Sequence, residues 1–295
     1  MIKRSLFFSN PCYLSVKDRQ LLVSRERGET LRIPIEDIGF MVLEDQHIKV
    51  SMPLLEELAD NNVAVIFCNS KHMPQSMLFP LEGNHLQGEI HRAQVKASEP
   101  LKKHLWKQTV EAKIINQAYL LKRLGLKYND LKVLSSSVKS GDSSGRESFA
   151  ARIYWGRLLG KDFVRERYGM PPNNMLNYGY IVLRAAVARA LTGSGLLPTF
   201  GIHHHNRYNA YCLADDVMEP YRPFVDGIVH KLNKKHHDAL DMDKNLKAEL
   251  LKVLTVDVRF RKTTRPLMVG LSQTTASLAK CFIGEKRSID YPLLY

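Results

Sequence analysis

The sequence predicts an α+β protein: a small β-rich N-terminal domain over residues 1–80, followed by a larger all-α domain over residues 86–295. Three observations predict it. Before Pro80, short apolar segments recur at strand length and close spacing. Beyond Pro80 the apolar spacing changes to a helical period. The charge divides at the same place: residues 1–80 hold nine Lys/Arg and ten Asp/Glu, and the rest hold 34 and 20.

Each element has its own signal. Ser5–Phe8, Cys12–Val16, Gln20–Val23 and Leu31–Ile35 read as strands, with Lys17-Asp18-Arg19 and Arg27-Gly28 as turns, so hairpins in a small sheet are expected. Ile38–Leu43 and Val63–Cys68 read as buried strands. Between them, Ser51-Met52-Pro53 opens a helix that turns Leu54, Leu55 and Leu58 inward and ends near Asn61-Asn62. In the second domain, Leu101, Leu105, Val110, Ile114, Ala118 and Leu121 line one face of a long helix. Lys102, Lys103, Lys107 and Lys113 lie off that face, and Gly125 ends the helix. A helix over Leu131–Val138 follows, then a break at Ser140–Gly145 and a helix from Arg146. Pro171-Pro172-Asn173 opens another, with Leu176, Tyr180, Leu183, Val187 and Leu191 on one stripe and Gly193 at its close. Further helices are expected over 209–233, 243–255 and 265–282.

The chain has 295 residues, 44% of them hydrophobic, enough for a substantial core. Its net charge of +13 points to a polyanion as partner. Cys12, Cys68, Cys212 and Cys281 have no C-x-x-C spacing, which argues against a zinc ribbon or a disulfide framework and fits a reducing compartment. Only three apolar residues separate Lys3-Arg4-Ser5 from Ser9-Asn10-Pro11, too few for a signal peptide, and no apolar run reaches the roughly 20 residues of a membrane span. A soluble, cytoplasmic protein with no membrane partner is expected.

Candidate chemistry concentrates in Gly201-Ile202-His203-His204-His205-Asn206 and Asp215-Asp216-Val217-Met218-Glu219-Pro220-Tyr221-Arg222-Pro223. On a helix, Asp216 and Glu219 share a face and could share a hard cation, and a nearby imidazole would favour Mn²⁺ or another transition ion. The same D-x-x-E spacing is more often a solvated acidic face, and adjacent histidines in an extended segment point in different directions. Ser144-Gly145-Arg146-Glu147 matches a capping box, in which Glu147 would serve only the helix start. Tyr178 and Tyr180 read as core, and His236-His237 as part of a solvated basic face. Arg259, Arg261, Lys262 and Arg265 form a basic cluster able to neutralise phosphates.

The run Gly201-Ile202-His203-His204 through Asp216-Val217-Met218-Glu219-Pro220-Tyr221-Arg222-Pro223 resembles the signature of the CRISPR-associated spacer-acquisition integrase, the first universal Cas protein. Leu176-Asn177-Tyr178-Gly179-Tyr180 is similar to that family's asparagine-bearing helix, and Ile33–Ile38 to its N-terminal sheet segment; the form looks most like the type II subgroup. The resemblance implies a dimerising N-terminal domain and a helical catalytic, DNA-binding domain. It implies a homodimer joined to a small second universal Cas protein as a heterohexamer, acting on double-stranded DNA with Mg²⁺ or Mn²⁺. Carried over, the metal and catalytic residues are Glu147, His204 and Glu219, with Asp216 and Asn177 in support. The implied reaction is attack by a 3′-hydroxyl on a phosphodiester at the repeat border. Two other readings fit the residues: a metal-dependent nuclease of branched or single-stranded DNA, and a non-catalytic DNA-binding scaffold.

Overall fold

The structure, a computed structural model, describes residues 4–26, 28–78, 83–166, 169–235, 242–261 and 263–294. Arg27, Lys262 and His236-His237 lie outside the described residues. The chain divides into two compact units, Met1–Gly83 and Asn84–Tyr295.

The first unit comprises β1 (Arg4–Phe8), β2 (Tyr13–Lys17), β3 (Gln20–Ser24), β4 (Leu31–Pro34), β5 (Ile38–Leu43), β6 (Lys49–Val50), α1 (Met52–Asp60), β7 (Ala64–Cys68) and β8 (Pro74–Leu78). They form two four-stranded sheets, ordered β4-β3-β2-β6 and β1-β5-β7-β8. The expected hairpin at Lys17-Asp18-Arg19 is present: Lys17 pairs with Gln20, and Asp18 and Arg19 take positive φ angles of 51° and 57°. One sheet of hairpins is not what forms, however. β1 pairs parallel with β5, and β5 parallel with β7, the latter across α1. Parallel partners are joined by long connections and leave no turn signature in the sequence. Leu14, Leu21 and Val23 from one sheet meet Met41, Leu43 and Val65 from the other, with Leu54 and Leu58 of α1, in one buried cluster. Leu55 is only half-buried.

The second unit comprises α2 (Gln87–Val95), α3 (Glu99–Arg123), α4 (Asn129–Ser136), α5 (Arg146–Leu158), α6 (Asn173–Gly193), α7 (Cys212–Met218), α8 (Arg222–Lys235), α9 (Lys244–Leu251), β9 (Asp257–Phe260), β10 (Thr263–Pro266) and α10 (Leu267–Phe282). Gly125 ends the long helix as expected. Its φ of 72° lets the Leu126 amide donate to the Leu121 carbonyl at 2.9 Å. Tyr178 and Tyr180 are core residues, 1% and 6% exposed.

Four expectations are corrected. The unit is not all-α, because β9 and β10 pair antiparallel, and Arg265 and Pro266 belong to β10 so that α10 begins at Leu267. The helix expected over 209–233 is two helices separated by a 3-10 turn at Glu219–Tyr221, where Pro220 has no amide to continue the α-helical bonding. The helix expected over 243–255 is α-helical only to Leu251 and tightens to 3-10 over Lys252–Thr255. Helix α2 carries too few apolar residues to have shown a stripe. Among the described residues no helix is long and apolar enough to cross a membrane.

Candidate active site

Glu147 stands in the first turn of α5, and the capping box does not form there. The N-cap is Gly145 in the left-handed region, with no side-chain cap of its own. Asp142 does the capping instead: its two carboxylate oxygens accept from the Arg146 amide at 2.8 Å and the Glu147 amide at 3.0 Å. Glu147 is thereby released from backbone duty. Its Oε1 accepts a hydrogen bond from the Lys113 ammonium on α3 at 2.6 Å.

The segment from Gly201 to His204 winds around a second carboxylate. Asp216 on α7 is fully buried and accepts from the amides of Ile202 (2.7 Å), His203 (3.0 Å) and His204 (3.2 Å). Its Oδ1 also lies 2.5 Å from His204 Nδ1. This explains the G-x-x-H spacing. A Cβ on Gly201 would lie 2.2 Å from the His204 carbonyl and 2.7 Å from Asp216 Oδ2, so only glycine permits the wrap. The hydrogen bond that His204 makes to the Asp216 carboxylate raises the His204 pKa, partly against burial. With Nδ1 committed, Nε2 is the nitrogen that remains for a ligand. The three histidines divide as neighbours in an extended segment should. His203 stacks on the buried Trp106 ring at 4.1 Å, with its pKa lowered by burial, and His205 turns its Nδ1 to the His203 carbonyl at 2.8 Å. Trp106 also meets His204 edge-on at 5.8 Å.

Glu219 follows α7 in the 3-10 turn, with its side chain 7% exposed. Asn116 of α3 fixes that turn by donating to the Pro220 carbonyl at 2.7 Å, which brings Glu219 opposite Lys113, one turn earlier on the helix. Two cations hold the carboxylate. Arg222 Nε lies 2.8 Å from Oε1, and Lys113 Nζ lies 2.5 Å from Oε2. Burial alone would raise the Glu219 pKa. Arg222 and Lys113 outweigh it and hold the group at about 2, and His204 is near enough to add a smaller pull in the same direction. Asp216 and Glu219 therefore do not share a cation, as their helical spacing allowed. Asp216 is consumed by the loop, and Glu219 lies beyond the helix and faces α3.

Two carboxylates and one imidazole are donors that suit Mg²⁺ or Mn²⁺. Glu147 and Glu219 already share one cation, the Lys113 ammonium. The buried Glu219 Oε2 faces that ammonium without a well-directed hydrogen bond. By chemistry and approach, this pair fits a hard ion. Among the described residues no three His, Cys, Asp or Glu side chains stand close enough together to cage an ion.

Sequence reasoning missed Lys113, Trp106 and Asp142, and gave Arg222 no role of its own. Lys113 lies off the apolar face that the spacing picks out, yet it is buried, with Trp106, Thr109, Asn116, Gln117 and Leu120 continuing the same inward stripe. The signal was present: a tryptophan at 106 and spacings of three and four lead to 113, 117 and 120. Behind the site, Asp226 of α8 accepts from Tyr154 of α5 at 2.7 Å and Tyr180 of α6 at 2.5 Å, and the Arg222 guanidinium lies over the Tyr180 ring at 4.5 Å. Burial pushes the Asp226 carboxyl up to about 6, against the pull of both tyrosines. Asn177 accepts from Arg165 at 2.7 Å, and the Arg165 guanidinium lies 5.3 Å from the centre of the Tyr180 ring. Arg259, Arg261 and Arg265 are exposed on the β9–β10 hairpin.

Fold and site together define an α+β protein whose helical unit brings two carboxylates to one buried ammonium. The family described as CRISPR associated protein Cas1 matches residues 6–259. The CRISPR-associated endonuclease Cas1 of Neisseria meningitidis serogroup C is 36% identical over 279 residues, covering 94% of this chain and 91% of that one. Among solved structures, a casposase bound to integration product superposes with a TM-score of 0.77 at 20% identity, over 98% of this chain and 93% of that one. A Cas6-RT-Cas1–Cas2 complex superposes with a TM-score of 0.70 at 19% identity, over 99% of this chain and 36% of that one. The chain belongs to the Cas1 family.

Proposed function

We propose that the chain is a CRISPR-associated DNA integrase that inserts new segments into the array by metal-dependent strand transfer. The 3′-hydroxyl of an incoming fragment attacks a phosphodiester at the repeat border. One P–O bond forms as another breaks, and the displaced 3′-oxygen takes up a proton, so no nucleoside triphosphate is required. The observation that carries the reading is the convergence of Glu147 and Glu219, 72 positions apart and on different elements, on the single Lys113 ammonium.

In this reading Glu147, Glu219 and His204 Nε2 hold Mg²⁺ or Mn²⁺. When bound, the ion would lower the pKa of the attacking hydroxyl and stabilise charge on the phosphate. The chain's own residues prepare the site. Arg222 and Lys113 keep Glu219 ionised far below neutral pH, as a ligand must be. Asp216 fixes the His204 ring and its tautomer, and Trp106 backs the two rings at 203 and 204. The exposed arginines of the hairpin supply backbone contacts to double-stranded DNA. The Cas2-containing neighbour supports a small second Cas protein as partner. The neutral first unit is assigned to homodimerisation, as the base of a heterohexamer.

Glu147→Ala, His204→Ala and Glu219→Ala should each abolish joining of a labelled fragment to a repeat-bearing duplex while DNA binding persists. Normal joining by all three would remove the reading. The name endonuclease on the Neisseria relative favours a second reading, hydrolysis with water as nucleophile. A fragment with a blocked 3′ end separates the two, because only joining needs that hydroxyl.

A further inference from the structure

Lys113 is a cation buried between two acids, with its side chain 11% exposed. Its ammonium is 2.6 Å from Glu147 Oε1 and 2.5 Å from Glu219 Oε2. A divalent ion held by both carboxylates would need the oxygens that the ammonium now contacts. Both cations cannot hold the same two oxygens. Their mutual repulsion at that range, with little water between them, is also strong.

The other contacts at the site divide the labour. Arg222 Nε lies 2.8 Å from the opposite oxygen of Glu219, as an ion pair without hydrogen-bond direction, and its guanidinium lies over Tyr180, so its charge stays beside Glu219 whatever occupies Oε2. Glu147 is the more accessible acid, with its side chain 30% exposed. Among the described residues Lys113 is the cation that touches both acids, on a flexible four-carbon stem. Its contact with Glu219 is an ion pair without hydrogen-bond direction.

We propose that Lys113 is a resident counter-cation that competes with the divalent metal for Glu147 and Glu219, and that metal entry displaces its ammonium from between them. The inference rests on the reading of Glu147, His204 and Glu219 as the metal site. Lys113 then keeps two facing carboxylates from repelling each other before the metal arrives, and sets a threshold that only a well-ligated ion exceeds. It is a positioning residue, acting through the glutamates.

The test is calorimetric titration of Mn²⁺ into the full chain, with wild type, Lys113→Met, Lys113→Arg and Glu219→Gln compared. Lys113→Met should bind Mn²⁺ at least tenfold more tightly than wild type, melt lower without metal, and gain more in Tm when Mn²⁺ is added. Lys113→Arg, which keeps the charge, should bind no more tightly than wild type. If Lys113→Met fails to fold, wild type alone supplies a readout. Amine acylation followed by mass spectrometry should show Lys113 at least threefold more reactive with Mn²⁺ than without it. Tight wild-type binding that is lost in Glu219→Gln but unchanged or weakened in Lys113→Met would overturn the exchange and leave the metal site standing, as would Lys113 reactivity that Mn²⁺ does not raise. Absence of Mn²⁺ binding in both wild type and Lys113→Met would overturn the exchange together with the metal-site reading.

Discussion

At Gly201 one missing carbon decides the geometry of a histidine three residues on. An added Cβ meets backbone oxygen at 2.2 Å, and backbone cannot rotate away as a side-chain tip can. Gly201→Ala should therefore open the turn at a loss of about 1–3 kcal/mol in denaturant unfolding, with strand joining lost alongside. Asp216 acts through the same turn. Its hydrogen bond raises the His204 pKa, so the protonated ring stabilises the fold fully below the ordinary histidine range, and that contribution fades as pH rises through the raised value. In Asp216→Asn the His204 ring, followed by NMR titration, should titrate at lower pH than in wild type. The importance of residues 201–204 was legible as a pattern in the sequence. The role of Asp216 was not, because helical spacing says which residues share a face and not where a loop twelve residues upstream returns.

The elements carry a second set of consequences. Helix α5 begins on an aspartate three residues before its cap, so Asp142→Ala should cost about 1 kcal/mol of stability and lower joining activity by letting Glu147 drift from Lys113. Helices α5, α6 and α8 meet at Asp226, whose carboxyl is held near pH 6 mainly by burial. The folded protein binds that proton more tightly than the unfolded chain, so this group's contribution to stability is largest below about pH 4 and is lost as pH rises through 6. The shift corresponds to roughly 3 kcal/mol. Urea unfolding at pH 5 and 7.5 should show that loss in wild type and not in Asp226→Asn. Element identity was largely readable from period and punctuation: α3 with its Gly125 stop, α6 with its stripe, and the β2–β3 turn. What escaped was decided by tertiary pairing. The parallel β1–β5 contact has no local turn, the β9–β10 pair is only four residues a side, and the break at Pro220 lay inside a sequence otherwise suited to one helix.

Across the whole molecule, the excess of positive charge and every residue of the candidate site fall in Asn84–Tyr295. Phosphate contacts release counterions, so affinity for duplex DNA should fall steeply with salt. Removing Arg259, Arg261 and Arg265 together should flatten the plot of log affinity against log salt by about 0.9 for each phosphate no longer neutralised, as read by fluorescence anisotropy. Binding should weaken to a similar degree on unrelated duplexes, since backbone contacts carry no base information. The division into two units was visible in charge and periodicity. The site was visible only as separate fragments, because Lys113, Glu147 and Glu219 are joined by packing between α3, α5 and the turn after α7, which no sequence spacing encodes.

The loop tied to Asp216 has a mechanical consequence. Three amides and an imidazole grip one carboxylate, so loop and helix move as a single body, and the ring at 204 behaves as the fixed jaw of a vice. Glu219, clamped by its arginine, belongs to that same rigid side. Any adjustment between the two glutamates then falls to the start of α5, where Glu147 is the sliding jaw and Asp142 the screw that sets its travel.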